Sequence, residues 1–303
     1  MLRSLLLYLA RKQTPKKLLT GHALGRRMAA RFIAGETLED AVRVVRRLNA
    51  EGFTVTLDFL GESVREAAEA EAACRTYAEI LDRLALEGLD SHISVKLTQL
   101  GLAIGEGLAC RHFSAICARA ALYHNFVRVD MEGSVFTEAT LRVFRKVDAP
   151  RAVAGIVMQS YLYRSAKDVE ELLQLGARIR LVKGAYDEPR SLAYPRKRDV
   201  DRNFSRLMVK LLSSGVYHAL ATHDGRLIAE ALAYARAQHI SPERFEFQML
   251  YGIRRDLQRA LLGQGARVRL YVPYGHEWYA YFMRRLAERP ANLLFLLRNL
   301  FRE

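Results

Sequence analysis

The chain has 303 residues and a formal net charge of +14; 50% of its residues are apolar and 26% are charged. This length and composition indicate a globular protein, built either as two small domains or as one α/β barrel. The longest apolar run near the start covers residues 5–10, far fewer than the roughly 20 residues of a membrane-spanning helix. No small-residue cleavage site follows it, which argues against a secretory signal peptide.

The cysteines and the basic residues narrow the class of protein further. Cys74, Cys110 and Cys117 are odd in number and form no CxxC pair, which argues against a disulfide framework or a structural zinc site and favours the cytoplasm. The 47 Lys plus Arg residues are scattered over every segment without a nucleic-acid-binding motif. The positive charge therefore favours contact with an anionic membrane surface over binding of a nucleic acid.

A basic N-terminal segment with helical character comes first, and a second helix follows it over residues 35–52. In that second helix, "GETLEDAVRVVRRLNAEG", apolar residues recur at helical spacing and Gly52 ends the pattern. Eight short runs of β-branched or apolar residues come next, each separated from the following run by a stretch long enough for a helix. These runs are residues 53–60, 92–98, 126–131, 154–160, 178–184, 217–223, 245–250 and 268–274.

Strands that alternate with helices predict parallel pairing through right-handed crossovers. Eight such units favour a closed (β/α)8 barrel over an open doubly wound sheet, and no strand is followed by a GxGxxG fingerprint. We therefore predict an α/β fold, a TIM barrel over residues 51–303, preceded by an N-terminal helical segment over residues 1–50.

The carboxyl ends of barrel strands are where active sites form. Polar residues fall at or near these ends: Lys96, Asp130, Gln159, Arg180, Lys183, Thr222, His223, Gln248 and Tyr271. Burying so many polar groups without a ligand would cost free energy for each one left without a partner. Cationic residues outnumber acidic ones among these positions and the last helix, so the pattern predicts an anionic substrate, an anionic cofactor or both.

The sequence supports some kinds of chemistry at these strand ends less well than others. His223 is the only histidine at a predicted strand end, and His218 and His276 have no HxH or HxxE neighbour of ligand type, so metal binding is poorly supported. A GxSxG serine nucleophile is absent from the sequence. Schiff-base formation at Lys96 or Lys183 stays open, because strand-end lysines attack carbonyls when their pKa is lowered.

The last helix, "WYAYFMRRLAERP" at residues 278–290, carries two adjacent arginines. Alone it could be a solvated helix face. The alternative is a clamp for a carboxylate, because the guanidinium fork matches two carboxylate oxygens. Helical spacing places Tyr281, Arg284, Arg285 and Glu288 on one side of the helix.

Taken in order, the strand ends resemble a known family. The motifs are "SVKLTQLG" (94–101), "RVDME" (128–132), "GIVMQSYLYR" (155–164), "RLVKGAY" (180–186), "ATHD" (221–224), "FEFQMLYG" (245–252) and "LYVPYG" (270–275). With the closing helix, they resemble proline dehydrogenase, and most closely its short monofunctional bacterial form, from about Leu38 to the C-terminus. No single motif is specific, but their order on seven successive strands is.

The resemblance implies a distorted (β/α)8 barrel that oxidises L-proline to Δ1-pyrroline-5-carboxylate with noncovalent FAD. It further implies that Arg284, Arg285 and Lys96 pair with the proline carboxylate. The remaining substrate positions that it implies are Tyr271 and Tyr281 against the ring, Leu250 as an apolar wall and Glu288 orienting the arginines. Asp130 matches the catalytic acidic position of the family.

The same resemblance implies the cofactor positions. Arg180 would lie beside the flavin N5, and Gln159 and Lys183 would bind the polar edge of the flavin ring. The other implied cofactor residues are Met131, Gly184, Ala185, Thr222, His223 and Gln248, with Arg196 and Lys197 as weaker candidates for the pyrophosphate. Many relatives have Asn where this chain has Asp224, and Asp224 is left out of the predicted site.

The resemblance also implies partners and a location. Electrons would pass to a membrane quinone, and a separate Δ1-pyrroline-5-carboxylate dehydrogenase would use the product, because no second dehydrogenase domain is seen in the sequence. No nucleic-acid partner is expected. The protein is expected to be cytoplasmic, with peripheral contact at the inner face of the membrane. For the segment "MLRSLLLYLARKQTPKK", lying on lipid and packing on the barrel both stay open.

Overall fold

The computed structural model describes residues 29–61, 63–147 and 152–288, and of residues 287 and 288 only the backbone. Most of the predicted basic N-terminal segment and the last residues of the chain lie outside this range. The division into residues 1–50 and 51–303 therefore stays a prediction.

Eight parallel strands close into one barrel in sequence order, because β1 pairs with both β2 and β8. The strands are β1 (Thr54–Phe59), β2 (Ser91–Val95), β3 (Val127–Val129), β4 (Ala154–Gln159), β5 (Arg178–Val182), β6 (His218–Ala221), β7 (Phe245–Leu250) and β8 (Val268–Tyr274). The predicted TIM barrel is confirmed. Several strands are shorter than predicted at their carboxyl ends, where polar residues leave the ladder and turn toward the barrel mouth.

Helices cover the outside of the barrel. In the described part of the chain they are α1 (Leu38–Ala50), α2 (Ala67–Leu86), α3 (Glu106–Leu122), α4 (Ser134–Lys146), α5 (Ser165–Gln174), α6 (Lys197–Leu212), α7 (Gly225–Ala237), α8 (Arg255–Gly263) and α9 (Trp278–Glu288). A short 3-10 helix, Pro242–Arg244, precedes β7. The start of α1 is fixed by a capping box between Thr37 and Asp40, which satisfies two backbone donors that the first turn leaves open.

The barrel interior is polar, whereas the shell between strands and helices is apolar. Arg269 on β8 pairs with Glu246 on β7, Nε to Oε2 at 3.0 Å, and both side chains are buried. Arg128 on β3 donates through Nη1 to the Arg178 carbonyl at 2.6 Å. Gly155 makes room for this contact, since a Cβ there would lie 2.5 Å from the Arg128 Nη1.

A second apolar cluster fixes α9 over the barrel mouth. Trp278 and Phe282 of α9 are fully buried and pack with Phe32 and Ile33, which precede α1. The Trp278 indole donates to Glu36 at 2.8 Å. The reading of α9 as a solvated helix is therefore wrong, because its apolar side is covered by residues from the start of the described chain.

Candidate active site

One cavity of about 630 Å³ opens at the carboxyl ends of the strands, beneath α9. All of the predicted site residues whose side chains the structure describes line it. They are Lys96, Asp130, Met131, Gln159, Arg180, Lys183, Gly184, Ala185, Thr222, His223, Gln248, Leu250, Tyr271, Tyr281, Arg284 and Arg285. The Glu288 side chain lies outside the described residues. Sequence positions more than 180 residues apart thus meet at one barrel mouth.

The inner wall of the cavity holds a buried acid–base cluster. The Lys96 ammonium lies 2.7 Å from Asp58 Oδ1 and 3.7 Å from Asp130 Oδ2. Asp130 also accepts from the Tyr271 hydroxyl at 2.8 Å and from the Ser94 hydroxyl at 2.9 Å. These two hydrogen bonds hold both Asp130 oxygens in a fixed orientation. Burial raises the pKa of Asp58, and the Lys96 charge opposes that shift.

Arg180 joins this cluster from β5. Its Nη2 donates to Ser94 at 2.6 Å and lies 3.3 Å from Asp130 Oδ1, and the guanidinium lies over the Tyr271 ring at 5.3 Å. The buried Nε has no hydrogen-bond partner among the residues that the structure describes. A buried donor of this kind is costly unless a ligand or water supplies an acceptor, so Arg180 has one donor to offer to a bound molecule.

A second charged cluster lies on the opposite rim. Lys183 Nζ is 2.6 Å from Asp201 Oδ1 and 2.8 Å from Asp224 Oδ2, and Lys197 pairs with both carboxylates. Asp224, which was left out of the predicted site, lines the cavity. Although burial opposes the shift, the hydrogen bond and charge of Lys183 lower the pKa of Asp224 to about 2. Arg196, the other weak candidate, pairs with Asp199 instead and does not line the cavity.

Replacing Asp224 by asparagine is expected to make the thermal stability less dependent on acidic pH. The folded-state pKa of about 2 lies below the ordinary value, so the charged group stabilises the fold above the ordinary pKa, and this contribution is lost as the pH falls toward 2. The Tm of Asp224→Asn should therefore fall below that of the wild type at neutral pH and meet it near pH 2. Thermal unfolding across this pH range measures it, and a difference that is equal at all pH values contradicts the assignment.

Polar side chains at the ends of β4, β6 and β7 are oriented by neighbours. Gln159 donates to the Glu132 carbonyl at 3.0 Å, and Gln248 donates to Glu246 Oε1 at 2.6 Å. The Gln248 amide oxygen is buried and has no hydrogen-bond partner in the described part of the chain, so it can accept from a ligand. His223 Nε2 accepts from the Leu250 backbone N–H at 2.9 Å, which places the proton of the neutral ring on Nδ1.

The chain backbone forms one wall of the cavity at Gly184. This residue has φ +118°, and a Cβ on it would overlap the Tyr161 ring. Glycine is needed here because other residues rarely adopt this backbone conformation and because a side chain would collide with Tyr161. The backbone at Gly184 can therefore approach a bound molecule closely, which is what the resemblance implied for this position.

The arginine pair closes the cavity from α9. Arg285 is buried and its guanidinium lies 5.0 Å from the centre of the Tyr281 ring, whereas Arg284 is half-buried. Both line the cavity. Stacking on an aromatic ring holds a guanidinium in one plane, so Arg285 is the better oriented of the two donors for a carboxylate.

The balance of charge in the cavity is positive. Seven lining residues are cationic (Lys96, Arg180, Lys183, Lys197, Arg254, Arg284, Arg285) and three are acidic (Asp58, Asp130, Asp224). This excess favours an anionic ligand. No group of His, Cys, Asp and Glu suited to a metal ion occurs among the residues that the structure describes.

The pairing of the two strand-end lysines bears on Schiff-base chemistry. Lys96 is paired with Asp58 and Lys183 with Asp201 and Asp224 at 2.6–2.8 Å. These carboxylates hold each nitrogen by hydrogen bonds, whereas attack on a carbonyl needs a nitrogen that is available to the substrate. The geometry therefore argues against either lysine as a nucleophile.

Sequence reasoning missed Asp58 and Glu246. Both are single acids inside otherwise apolar strands, "TVTLDF" and "FEFQML", and each is buried against a cationic residue from a neighbouring strand. A lone acid at an inward-facing position of a buried strand is the signal that could have identified them, because such a charge requires a partner.

Comparisons with known proteins identify the family of the chain. Residues 41–298 match the model of the family described as proline dehydrogenase. The chain is 42% identical to Proline dehydrogenase 1 of Bacillus subtilis subsp. natto over an alignment of 304 residues that covers 100% of each chain. It is 41% identical to the proline dehydrogenase of Deinococcus radiodurans over 280 residues, 91% of this chain and 90% of that one.

A solved structure gives the same result for the fold. The chain matches proline utilization A (PutA) from Bdellovibrio bacteriovorus, inactivated by N-propargylglycine, with a TM-score of 0.82 and 27% sequence identity. The match covers 87% of this chain but 33% of the PutA chain, so it concerns only part of that larger protein. The family match and the full-length relatives establish that this TIM-barrel chain belongs to the proline dehydrogenase family, an oxidoreductase family of proline metabolism.

Proposed function

We propose that the chain oxidises L-proline to Δ1-pyrroline-5-carboxylate with FAD held in the barrel cavity. In this reaction C5 of proline, the ring carbon bonded to nitrogen that does not carry the carboxylate, loses a hydride. The nitrogen loses a proton, so a C=N bond forms. When bound, FAD would accept the hydride. The supporting observation is that one cavity combines a carboxylate clamp on α9 with a buried acid–base cluster and unused polar atoms on the barrel wall.

The residues of the cavity suit a flavin. The Arg180 Nε and the Gln248 Oε1 are buried polar atoms to which no described residue forms a hydrogen bond, and they offer one donor and one acceptor to a ring with polar edges. The cavity volume of about 630 Å³ lies within the usual range for cofactor sites. We assign Met131, Gln159, Lys183, Gly184, Ala185, Thr222 and His223 to the same site.

The substrate carboxylate is assigned to Arg284 and Arg285, with Lys96 across the cavity. Arg285 offers a planar fork of donors, and stacking on Tyr281 fixes its plane. Leu250 and the Tyr271 ring would contact the apolar part of the proline ring. Fixing the carboxylate on one side fixes the position of the reacting carbon, and orientation of this kind is worth roughly 7 to 11 kcal/mol of the barrier.

Asp130 and α9 complete the proposed mechanism. Tyr271, Ser94 and Arg180 hold the Asp130 carboxylate, and we assign it to aligning these residues beside the reacting atoms. The buried Trp278 and Phe282 anchor α9 against Phe32 and Ile33, so that the helix covers the mouth and would exclude water. In a site with little water, the charges act more strongly on the substrate. We assign Glu288 to orienting the arginines, as the family resemblance implies.

Replacing Tyr271 by phenylalanine is expected to lower kcat/KM for proline by about tenfold or more. The change removes the hydroxyl that donates to Asp130 at 2.8 Å, and a hydrogen bond to a charged group is worth about 1.5–3 kcal/mol. Steady-state kinetics of the FAD-loaded protein measure the effect. The matched control is Tyr163→Phe, whose hydroxyl donates to the Arg190 carbonyl on an exposed loop, and a similar loss in both variants contradicts the role of Tyr271.

The colour of the purified protein tests the proposed function directly. We expect a yellow protein that is bleached by L-proline in the absence of oxygen, and D-proline serves as the control for orientation in the site. A colourless protein that takes up no FAD sinks the cofactor assignment. A yellow protein that L-proline leaves unbleached sinks the substrate assignment.

The electron acceptor and the location belong to the same proposal. We propose that a membrane quinone reoxidises the protein at the inner face of the membrane and that a separate Δ1-pyrroline-5-carboxylate dehydrogenase uses the product. Among the described residues, no helix is long and apolar enough to cross a membrane. Reoxidation by a soluble quinone analogue, compared with NAD+, tests the acceptor, and faster reoxidation by NAD+ contradicts it. Flotation of the protein with liposomes, with and without its first 20 or so residues, tests the membrane contact.

A further inference from the structure

Asp58 is the most deeply buried carboxylate of the cavity, with 1% of its surface exposed. It lies on β1 next to β2, and its Oδ1 accepts from the Lys96 ammonium at 2.7 Å. Asp130, the acid that we assign to aligning Tyr271, Ser94 and Arg180, is farther from the same ammonium, at 3.7 Å. The position of the Lys96 charge is therefore set by β1 more than by β3.

A buried ion pair of this kind is weak evidence for a contribution to stability, since removing two charges from water costs about as much as their attraction returns. Burial raises the pKa of Asp58 against the opposing effect of Lys96, which shows that the carboxylate is unfavourably placed by itself. The pair lies in the wall of the cavity and not in the apolar shell. Its position points to a role in the site.

We propose that Asp58 is a positioning residue for substrate binding: it holds the Lys96 ammonium on the wall that faces the substrate carboxylate. This inference rests on the proposed function, because it assumes that Lys96 meets the carboxylate of proline. Without Asp58 the ammonium keeps Asp130 within reach. It shifts toward that oxygen, leaves its place opposite the substrate carboxylate, and competes with Tyr271 and Arg180 for the same Asp130 carboxylate.

The isosteric variant Asp58→Asn tests this role. We expect KM for proline to rise by about tenfold, a factor typical of a misplaced hydrogen bond to a charged group, while kcat changes less than KM. Tetrahydrofuran-2-carboxylate, which has the same carboxylate but no oxidisable amine, should bind more weakly by a similar factor, as measured by the change that it causes in the flavin spectrum. The matched control is Asp82→Asn, which breaks an exposed ion pair with Arg119 outside the cavity.

A double-variant cycle with Lys96→Met separates positioning from a structural role. If Asp58 acts through Lys96, the double variant Asp58→Asn/Lys96→Met binds proline and the ring acid as weakly as Lys96→Met alone. The double variant removes both buried charges, so it remains usable even where Asp58→Asn alone does not fold. A double variant that binds clearly more weakly than Lys96→Met overturns the proposal.

Two other results also overturn it. An unchanged KM in Asp58→Asn means that Lys96 is placed without Asp58. A lower KM means that the Asp58 charge acts by weakening the positive field and not by positioning. Neither result touches the proposed function, which fails only if the wild-type holoprotein does not oxidise proline.

Discussion

Replacing Arg285 by methionine is expected to raise KM for proline at least thirtyfold while FAD stays bound. Methionine keeps much of the apolar stem but removes the guanidinium that lies over the Tyr281 ring in the buried wall of the cavity. Loss of one partner in a buried charge pair costs about 2–5 kcal/mol, and each 1.4 kcal/mol corresponds to a tenfold change. Steady-state kinetics give KM, and the flavin absorbance of the purified variant gives the bound FAD.

Two further variants sharpen this test. Arg285→Lys keeps the charge but loses the planar fork, so its KM should lie between those of the wild type and Arg285→Met. Arg259→Met is the control for the loss of an arginine, since Arg259 lies on α8, is largely exposed and pairs with Glu51. If Arg285→Met oxidises proline with the KM of the wild type, α9 does not hold the substrate carboxylate.

Replacing Glu246 by alanine is expected to lower the free energy of unfolding by about 3–5 kcal/mol, the cost of leaving a buried charge without its partner. Glu246 accepts from Arg269 Nε at 3.0 Å, from the Tyr217 hydroxyl at 2.9 Å and from Gln248 at 2.6 Å. The same change frees the Gln248 amide to rotate, so the affinity for FAD should fall as well. Urea unfolding at one fixed FAD concentration measures the stability, because bound ligand adds to it.

The double variant Glu246→Leu/Arg269→Met provides the matched comparison. It removes both charges and puts apolar volume in their place, and buried ion pairs replaced in this way often leave stability unchanged. We therefore expect it to be more stable than Glu246→Ala, although its Gln248 still lacks an anchor and FAD should bind weakly. Equal instability of the two variants would mean that packing at this point of the barrel, and not the unpaired Arg269, causes the loss.

The fold could be predicted because its signal is local and repeated. A run such as "RIRLVKG" is apolar and β-branched over the few residues that a strand needs, and a helix-length stretch separates it from the next run. The predicted strand over residues 92–98 is Ser91–Val95 in the structure. The difference arises because Leu97 continues the alternation of apolar residues after the ladder has ended at Val95. The pattern of apolar residues does not show where the hydrogen bonds between strands end.

The site was predicted as a set of positions more completely than as a set of contacts. Residues such as Arg180 and Gln248 could be identified because barrel closure brings all strand ends to one mouth, whatever the details of packing. The pairing of Lys96 with Asp58 was not predicted, nor that of Lys183 with Asp224. Each joins residues about 40 positions apart, and the sequence pattern contains no distances between strands.

The sequence by itself determined the order of the elements, the closed barrel and the arginine pair on the last helix. Spacing along one strand or helix is fixed by backbone geometry, so each element can be read from its own segment, and the count of eight strand–helix units then indicates the closed barrel. The tertiary structure alone decided which charges meet: Lys96 with Asp58, Lys183 with Asp201 and Asp224, and Arg269 with Glu246. These contacts depend on strand register and on which side chains the closed barrel leaves without water, and no single segment contains that information.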